Sequence, residues 1–243
     1  MKLKPADIAC MLDHSTLQPF LTDADIRSGC ETALKYQTAS VCARPSDVPI
    51  LAQMLKGSGV KVCTVIGFPH GAHSSLVKLY EAQQALKDGC EELDMVLAIG
   101  KLLSGEEAYV QDEIARIAKL AHENGAILKV ILETCYLSDA QKITACKLSE
   151  AAGADFVKTS TGYGTAGSTL SDLRLMRKSV SPKVRVKASG GIRELDTVLS
   201  ARAVGATRCG VSATEKIMKE AEERYAKGLL CEADVLSDMG EGY

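Results

Sequence analysis

Eight short runs rich in β-branched and apolar residues, at 11–16, 39–43, 61–68, 92–97, 127–134, 155–160, 185–189 and 207–212, alternate along the chain with longer stretches of helical periodicity. The helical stretches include 23–36, 76–87, 108–122, 139–151, 170–178, 194–203 and 214–227, and each change is marked by Gly, Pro, Ser or Asp. Strands and helices taking turns in this way restrict the fold sharply, because a strand followed by a crossover helix is joined by a strand running parallel to it. Gly89, Gly125, Gly153 and Gly205 stand where the helical pattern stops, each able to take a left-handed cap, and the next strand begins within a few residues. The βα units are therefore compact.

Two architectures fit: a closed eight-stranded parallel βα (TIM) barrel and an open, doubly wound sheet. The strand count favours the barrel. An open dinucleotide-binding sheet would carry a G-x-G-x-x-G turn after its first strand, whereas here that strand ends Asp13–His14–Ser15–Thr16 without glycine. No Walker-type phosphate loop, Pro/Ser-rich linker or composition break interrupts the 243 residues, so a single domain over 1–243 is expected, with 228–243 as a flexible C-terminal tail. Twenty-nine basic against thirty-one acidic residues give no field for nucleic acid or an anionic membrane, and no apolar run approaches a membrane span. Nine cysteines, an odd number without a C-x-x-C pair, read as reduced thiols of a cytoplasmic protein.

In a barrel, polar residues near the C-terminal ends of otherwise apolar strands mark the active face. Period two places Glu92 with Asp94, Lys129 with Ile131 and Glu133, Phe156 with Lys158, and Arg185 with Lys187 and Ser189. Any one of these charges is as easily explained by a solvated rim; the set is harder to explain so, since a buried parallel strand normally reads as continuous apolar sequence. Lys158 and Lys187, at matched depth on successive strands, would stand close together, and repulsion with desolvation would lower the pKa of one of them. Such a lysine is a nucleophile toward carbonyl carbon, with Asp94 placed to move protons. Arg185 belongs deeper, at the barrel floor.

The last three strand ends, Thr159–Ser160–Thr161–Gly162, Ser189–Gly190–Gly191 and Cys209–Gly210–Val211–Ser212, combine glycines with hydroxyls where barrels bind phosphate. The residues alone leave three readings open: a Schiff-base lyase, a phosphate-binding isomerase or synthase using non-covalent acid–base chemistry, and a sugar-phosphate-binding protein without catalysis.

These motifs resemble those of the deoxyribose-phosphate aldolases, class I aldolases built as eight-stranded βα barrels. The resemblance runs in order from about Asp13 to Ala213. It is carried by Asp13–His14–Ser15–Thr16–Leu17, Ser40–Val41–Cys42, Cys63–Thr64–Val65–Ile66–Gly67–Phe68–Pro69–His70–Gly71 and Glu92–Leu93–Asp94–Met95–Val96, and then by Leu128–Lys129–Val130–Ile131–Leu132–Glu133–Thr134, Phe156–Val157–Lys158–Thr159–Ser160–Thr161–Gly162, Val186–Lys187–Ala188–Ser189–Gly190–Gly191–Ile192–Arg193 and Arg208–Cys209–Gly210–Val211–Ser212–Ala213. It implies reversible cleavage of 2-deoxy-D-ribose 5-phosphate to D-glyceraldehyde 3-phosphate and acetaldehyde, with neither metal nor organic cofactor, by a homodimer or homotetramer. It also implies that Lys158 forms the Schiff base, that Lys187 lowers its pKa and assists proton transfer, and that Asp94 relays protons through water.

The chain departs from the family pattern at Ser15, where threonine is more usual, and at Cys209–Gly210–Val211, where Ile–Gly–Thr is. Val211 loses a hydroxyl, so Gly190, Gly191 and Ser212 are the safer phosphate candidates, with Asp13, Ser15, Cys42, Thr159, Gly162 and Gly210 as further substrate contacts. Some relatives carry a C-terminal tyrosine that reaches the site, which marks Tyr243 as a possible proton relay against the alternative of a disordered tail. His70 and His73 lack a third metal ligand at convincing spacing. His14 and Asp13, adjacent in a strand, point to opposite faces, and Asp13 is the site candidate.

Overall fold

The computed structural model describes residues 2–233 and 236. Eight parallel strands close into a barrel in sequence order: β1 (Leu12–Thr16), β2 (Ser40–Ala43), β3 (Lys61–Ile66), β4 (Glu92–Val96), β5 (Ile127–Ile131), β6 (Phe156–Lys158), β7 (Arg185–Ser189) and β8 (Arg208–Val211). Around them lie α1 (Pro5–Ala9), α2 (Asp23–Tyr36), α3 (Val48–Met54), α4 (Ser75–Lys87), α5 (Ile99–Leu103), α6 (Glu107–Glu123), α7 (Asp139–Ala151), α8 (Leu170–Ser179), α9 (Leu195–Ala203) and α10 (Thr214–Ala226).

Local chemistry accounts for where these helices start and stop. Thr22 caps α2 by accepting from the Asp25 amide while Asp25 reaches back, and Ser138 with Gln141 does the same for α7. Gly89, Gly125, Gly153 and Gly205 all take positive φ, from 70° to 103°, and turn the chain back toward the next strand. α3 and α5 were not among the expected helical stretches. Both are under eight residues long, too short for helical period to stand out from an apolar strand.

Alternate residues of each strand pack outward against the helices. Val41, Val62, Leu93, Met95, Leu128, Val130, Val157 and Val186 belong to one buried apolar cluster that contains the inner faces of the helices. His14 points outward with them and shares a hydrogen bond with Thr214 at 2.9 Å. The other parity fills the barrel, and in place of the branched aliphatic layers common there it carries Asp13, Glu92, Asp94, Lys129, Lys158, Lys187 and Arg208, all buried.

After α10 the chain turns at Gly228, and Leu3 donates its amide to the Leu230 carbonyl at 3.1 Å beneath the barrel. Leu230 is buried, and Arg202 pairs with Glu232. The start of the expected tail is thus tied to the N-terminus as far as Glu232. Tyr243 lies outside the described residues.

Candidate active site

The strand register sets the site. Lys158 and Lys187 are direct partners across β6 and β7, and Asp94 and Lys129 across β4 and β5. With the barrel closed, these side chains converge from different strands on one point near the axis. Asp94 Oδ2 lies 2.7 Å from Lys158 Nζ and 2.7 Å from Lys187 Nζ, and Asp94 Oδ1 lies 2.7 Å from Lys129 Nζ. Lys187 also meets Asp13 Oδ2 at 2.5 Å, and Asp13 Oδ1 accepts from Ser40 at 2.7 Å.

The three catalytic candidates, Asp94, Lys158 and Lys187, are therefore brought together. Their electrostatics differ from the expected repulsion between two lysines. Burial pulls Lys187 down, but Asp13 and Asp94 outweigh it and hold its ammonium above the ordinary lysine value. Burial likewise pushes Asp94 up, yet Lys129, Lys158 and Lys187 together hold its carboxyl well below the usual range. Asp13 is lowered in the same way, with Lys187 and Arg208 overcoming its burial. Lys187 thus presents positive charge beside Lys158, and Asp94 negative charge between them.

Above this centre opens a cleft. Asp13, Ser15, Cys42, Lys158, Gly162, Lys187, Gly190, Gly191, Gly210 and Ser212 all line it. Asp94 lies fully buried beneath. Thr159 does not line it: its hydroxyl donates to the Ser189 carbonyl at 3.2 Å and accepts the Ser189 amide at 3.1 Å, stitching β6 to β7. Thr161 takes its place at the wall, together with Ser189 and Arg193, none of the three among the expected substrate contacts. Gly190 and Gly191 have φ of 85° and 82°, a left-handed conformation that opens the backbone of this wall to a ligand. Arg185 lies at the opposite, N-terminal end of β7, exposed, its guanidinium 4.0 Å from the Phe156 ring centroid.

Glu133 does not continue the inward face of β5. The strand ends at Ile131, and Glu133 takes φ 56° and ψ 64°, turning its buried carboxylate to accept the amide and hydroxyl of Thr161. Burial raises its pKa against those hydrogen bonds. Strand parity misplaced it because a left-handed residue breaks the alternation, and a non-glycine residue there gives no local signal. Arg208 was also missed as a site residue. Its Nη2 meets both oxygens of Glu92 at 2.6 and 2.7 Å, and its Nη1 lies 3.2 Å from Asp13 Oδ1.

Among the described residues, the donor atoms near enough to share an ion belong to Cys42, Cys63 and Asp94, within 4.8 Å of one another, rather than to His70 and His73. Both Asp94 oxygens in that group are already taken by lysine ammonium groups.

Residues 7–220 match the family described as DeoC/LacD family aldolase. The chain is 50% identical over 218 residues to a deoxyribose-phosphate aldolase of Rhodopirellula baltica, covering 90% of both chains, and 51% identical over 215 residues to one of Caldanaerobacter subterraneus, covering 88% of this chain and 93% of that one. Among solved structures it superposes on the tetrameric deoxyribose phosphate aldolase of Aeropyrum pernix with a TM-score of 0.84 at 35% identity, covering 90% of this chain and 92% of the other. With a closed βα barrel, a lysine-flanked carboxylate at its axis and these relatives, the chain belongs to the DeoC/LacD family of aldolases.

Proposed function

We propose that this protein cleaves 2-deoxy-D-ribose 5-phosphate reversibly into D-glyceraldehyde 3-phosphate and acetaldehyde, with Lys158 as the Schiff-base nucleophile. The observation that carries the assignment is the Lys158–Asp94–Lys187 contact, one carboxylate oxygen 2.7 Å from each of two ammonium nitrogens, at the foot of an open cleft. Lys129, Lys158, Lys187 and Arg208 face three carboxylates, Asp13, Glu92 and Asp94. Loss of one proton from Lys158 leaves three cations against three anions. Lys158 is also the cation of the four that reaches the cleft with a single carboxylate contact.

Neutral Lys158 adds to the C1 aldehyde of the open-chain sugar; loss of water gives the iminium. As a base removes the C3 hydroxyl proton, the C2–C3 bond breaks, its electron pair passes to C2 and into the iminium, and glyceraldehyde 3-phosphate leaves with a new C3 carbonyl. The remaining enamine is protonated at C2 and hydrolysed, releasing acetaldehyde and free Lys158. Asp94 is buried beneath Lys158, so it moves protons through the lysine or a bound water. Protonated Lys187 supplies positive charge beside the developing imine. Gly190, Gly191 and Ser212 stand at the loops where a βα barrel receives the substrate phosphate.

The likeness to the tetrameric Aeropyrum pernix enzyme supports a homo-oligomer here, as dimer or tetramer. No described helix is long and apolar enough to cross a membrane; the nine unpaired cysteines suit the reducing cytoplasm in which we place the reaction.

Borohydride reduction with 2-deoxyribose 5-phosphate or acetaldehyde, followed by peptide mapping, should leave an adduct on Lys158. Lys158→Arg should abolish both adduct and turnover. An adduct on Lys187 or Lys129 would reassign the nucleophile, and no adduct on folded protein would turn the assignment to non-covalent acid–base chemistry.

A further inference from the structure

We infer that Lys129 is a positioning residue for Asp94, and that Glu92 and Arg208 form the clamp that holds it; this rests on the aldolase reading above. Lys129 touches no substrate space, being fully buried below the cleft. Its Nζ lies 2.6 Å from Glu92 Oε2 and 2.7 Å from Asp94 Oδ1, so one ammonium bridges two carboxylates that stand two residues apart on the same face of β4. Glu92 is in turn gripped on both oxygens by Arg208 across the barrel from β8. Arg208 closes the chain of contacts by meeting Asp13 on β1, which holds Lys187.

The geometry has a consequence for the reacting end. A carboxylate rotates about its Cβ–Cγ bond unless both oxygens are held. Lys129 commits Oδ1 of Asp94 to the barrel interior, with the Cys63 thiol donating to the same oxygen at 3.4 Å. Oδ2 is thereby left facing Lys158 and Lys187 together. Without Lys129, Oδ1 of Asp94 would keep only the weak Cys63 thiol donor, and Asp94 would lose one of the cations that keep it ionised.

The titratable groups facing Asp94 and Lys129 are Asp13, Cys42, Cys63, Cys90, Glu92, Lys158, Lys187 and Arg208, from Asp94's own strand and its approach and from the strands around the barrel. Their signs make the proposal testable in two opposite directions. Removing a positive charge raises the pKa of every neighbour, and removing a negative charge lowers it. Lys129→Met should therefore move the ascending limb of the pH–kcat profile alkaline by about one pH unit and cut kcat at neutral pH about tenfold, leaving KM within about threefold. Glu92→Gln should move the same limb toward acid. A merely structural role would weaken both variants without shifting their limbs in opposite senses.

The experiment measures pH profiles of kcat and KM for the wild type and both variants. In parallel, the ¹³C carboxyl resonance of Asp94 is titrated in substrate-free protein, where Lys129→Met should raise its midpoint toward the ordinary aspartate value. Limbs that stay put, or that shift in the same direction, would overturn the inference, as would an unmoved Asp94 titration. Wild-type protein that traps no adduct on Lys158 would sink the aldolase reading alone, and the carboxyl titration, which needs no substrate, would still decide the role of Lys129. If Lys129→Met does not fold, Glu92→Gln carries the test: an acid shift supports the clamp and no shift refutes it.

Discussion

Outside the barrel wall, Lys78 of α4 and Glu113 of α6 form an ion pair at 3.0 Å whose side chains are both 0% exposed. Lys78 Nζ also donates to the Val96 carbonyl at 2.9 Å, two residues beyond Asp94, and Ser75 donates to Glu113 at 3.1 Å. Burial lowers the Lys78 pKa, and Glu113 opposes it only in part; burial likewise raises the Glu113 pKa over the opposition of Lys78. Both groups are shifted toward neutrality, so their attraction does not fully repay their desolvation. Lys78→Met alone strands a buried carboxylate and should cost about 3–5 kcal/mol, which for a chain of this length lowers Tm by roughly 6–20 °C. Lys78→Met with Glu113→Leu removes both charges at similar volume. The relief of about 1–4 kcal/mol is set against an unpaired Val96 carbonyl at about 1–3 kcal/mol, so the double variant should fall between about 2 kcal/mol less and about 3 kcal/mol more stable than the wild type. Urea unfolding of the four proteins, with calorimetry as a second measure, completes the cycle. A cost below about 1 kcal/mol for Lys78→Met, or a double variant no more stable than the weaker single one, would refute the reasoning.

Two further outcomes follow from single residues. His14 is buried against Thr214, and desolvation depresses its pKa from 6.5 to about 4. The unfolded chain therefore binds a proton first as pH falls, and up to about 3 kcal/mol of stability should be lost between pH 6.5 and pH 4; His14→Gln should lose less stability over that interval in denaturant titrations at the two pH values. At Gly167, an added Cβ would stand 2.4 Å from the Gly190 carbonyl oxygen, so Gly167→Ala must push the loop after β6 off the glycine-rich wall. Steady-state kinetics should show a severalfold rise in KM for the sugar phosphate with a smaller change in kcat.

Much of the architecture is local information. Strand period two, helix period and four glycine caps are written within windows of a dozen residues, and they place all eight strands and the inward parity of Asp94, Lys158 and Lys187. The errors fall where locality ends. Thr159 and Thr161 share a parity in an extended chain, yet β6 stops at Lys158, and backbone pairing draws Thr159 into the ladder while Thr161 reaches the wall. Glu133 was lost to one left-handed residue.

Residue order alone determined that strands and helices alternate, that the sheet is parallel and that charged side chains point inward near its carboxyl ends, because these follow from short-range sterics and the burial of apolar faces. Only the closed barrel decided which charges meet. Asp13, Glu92, Lys187 and Arg208 come from four strands separated by up to 195 residues of chain, and the contacts of Asp13 with Lys187 and Arg208 and of Glu92 with Arg208, at 2.5–3.2 Å, exist only once β8 pairs with β1. That closure sets two lysines expected to repel one another against one shared carboxylate, Asp94, since Coulomb energy depends on distance in space and on burial, neither of which sequence spacing specifies.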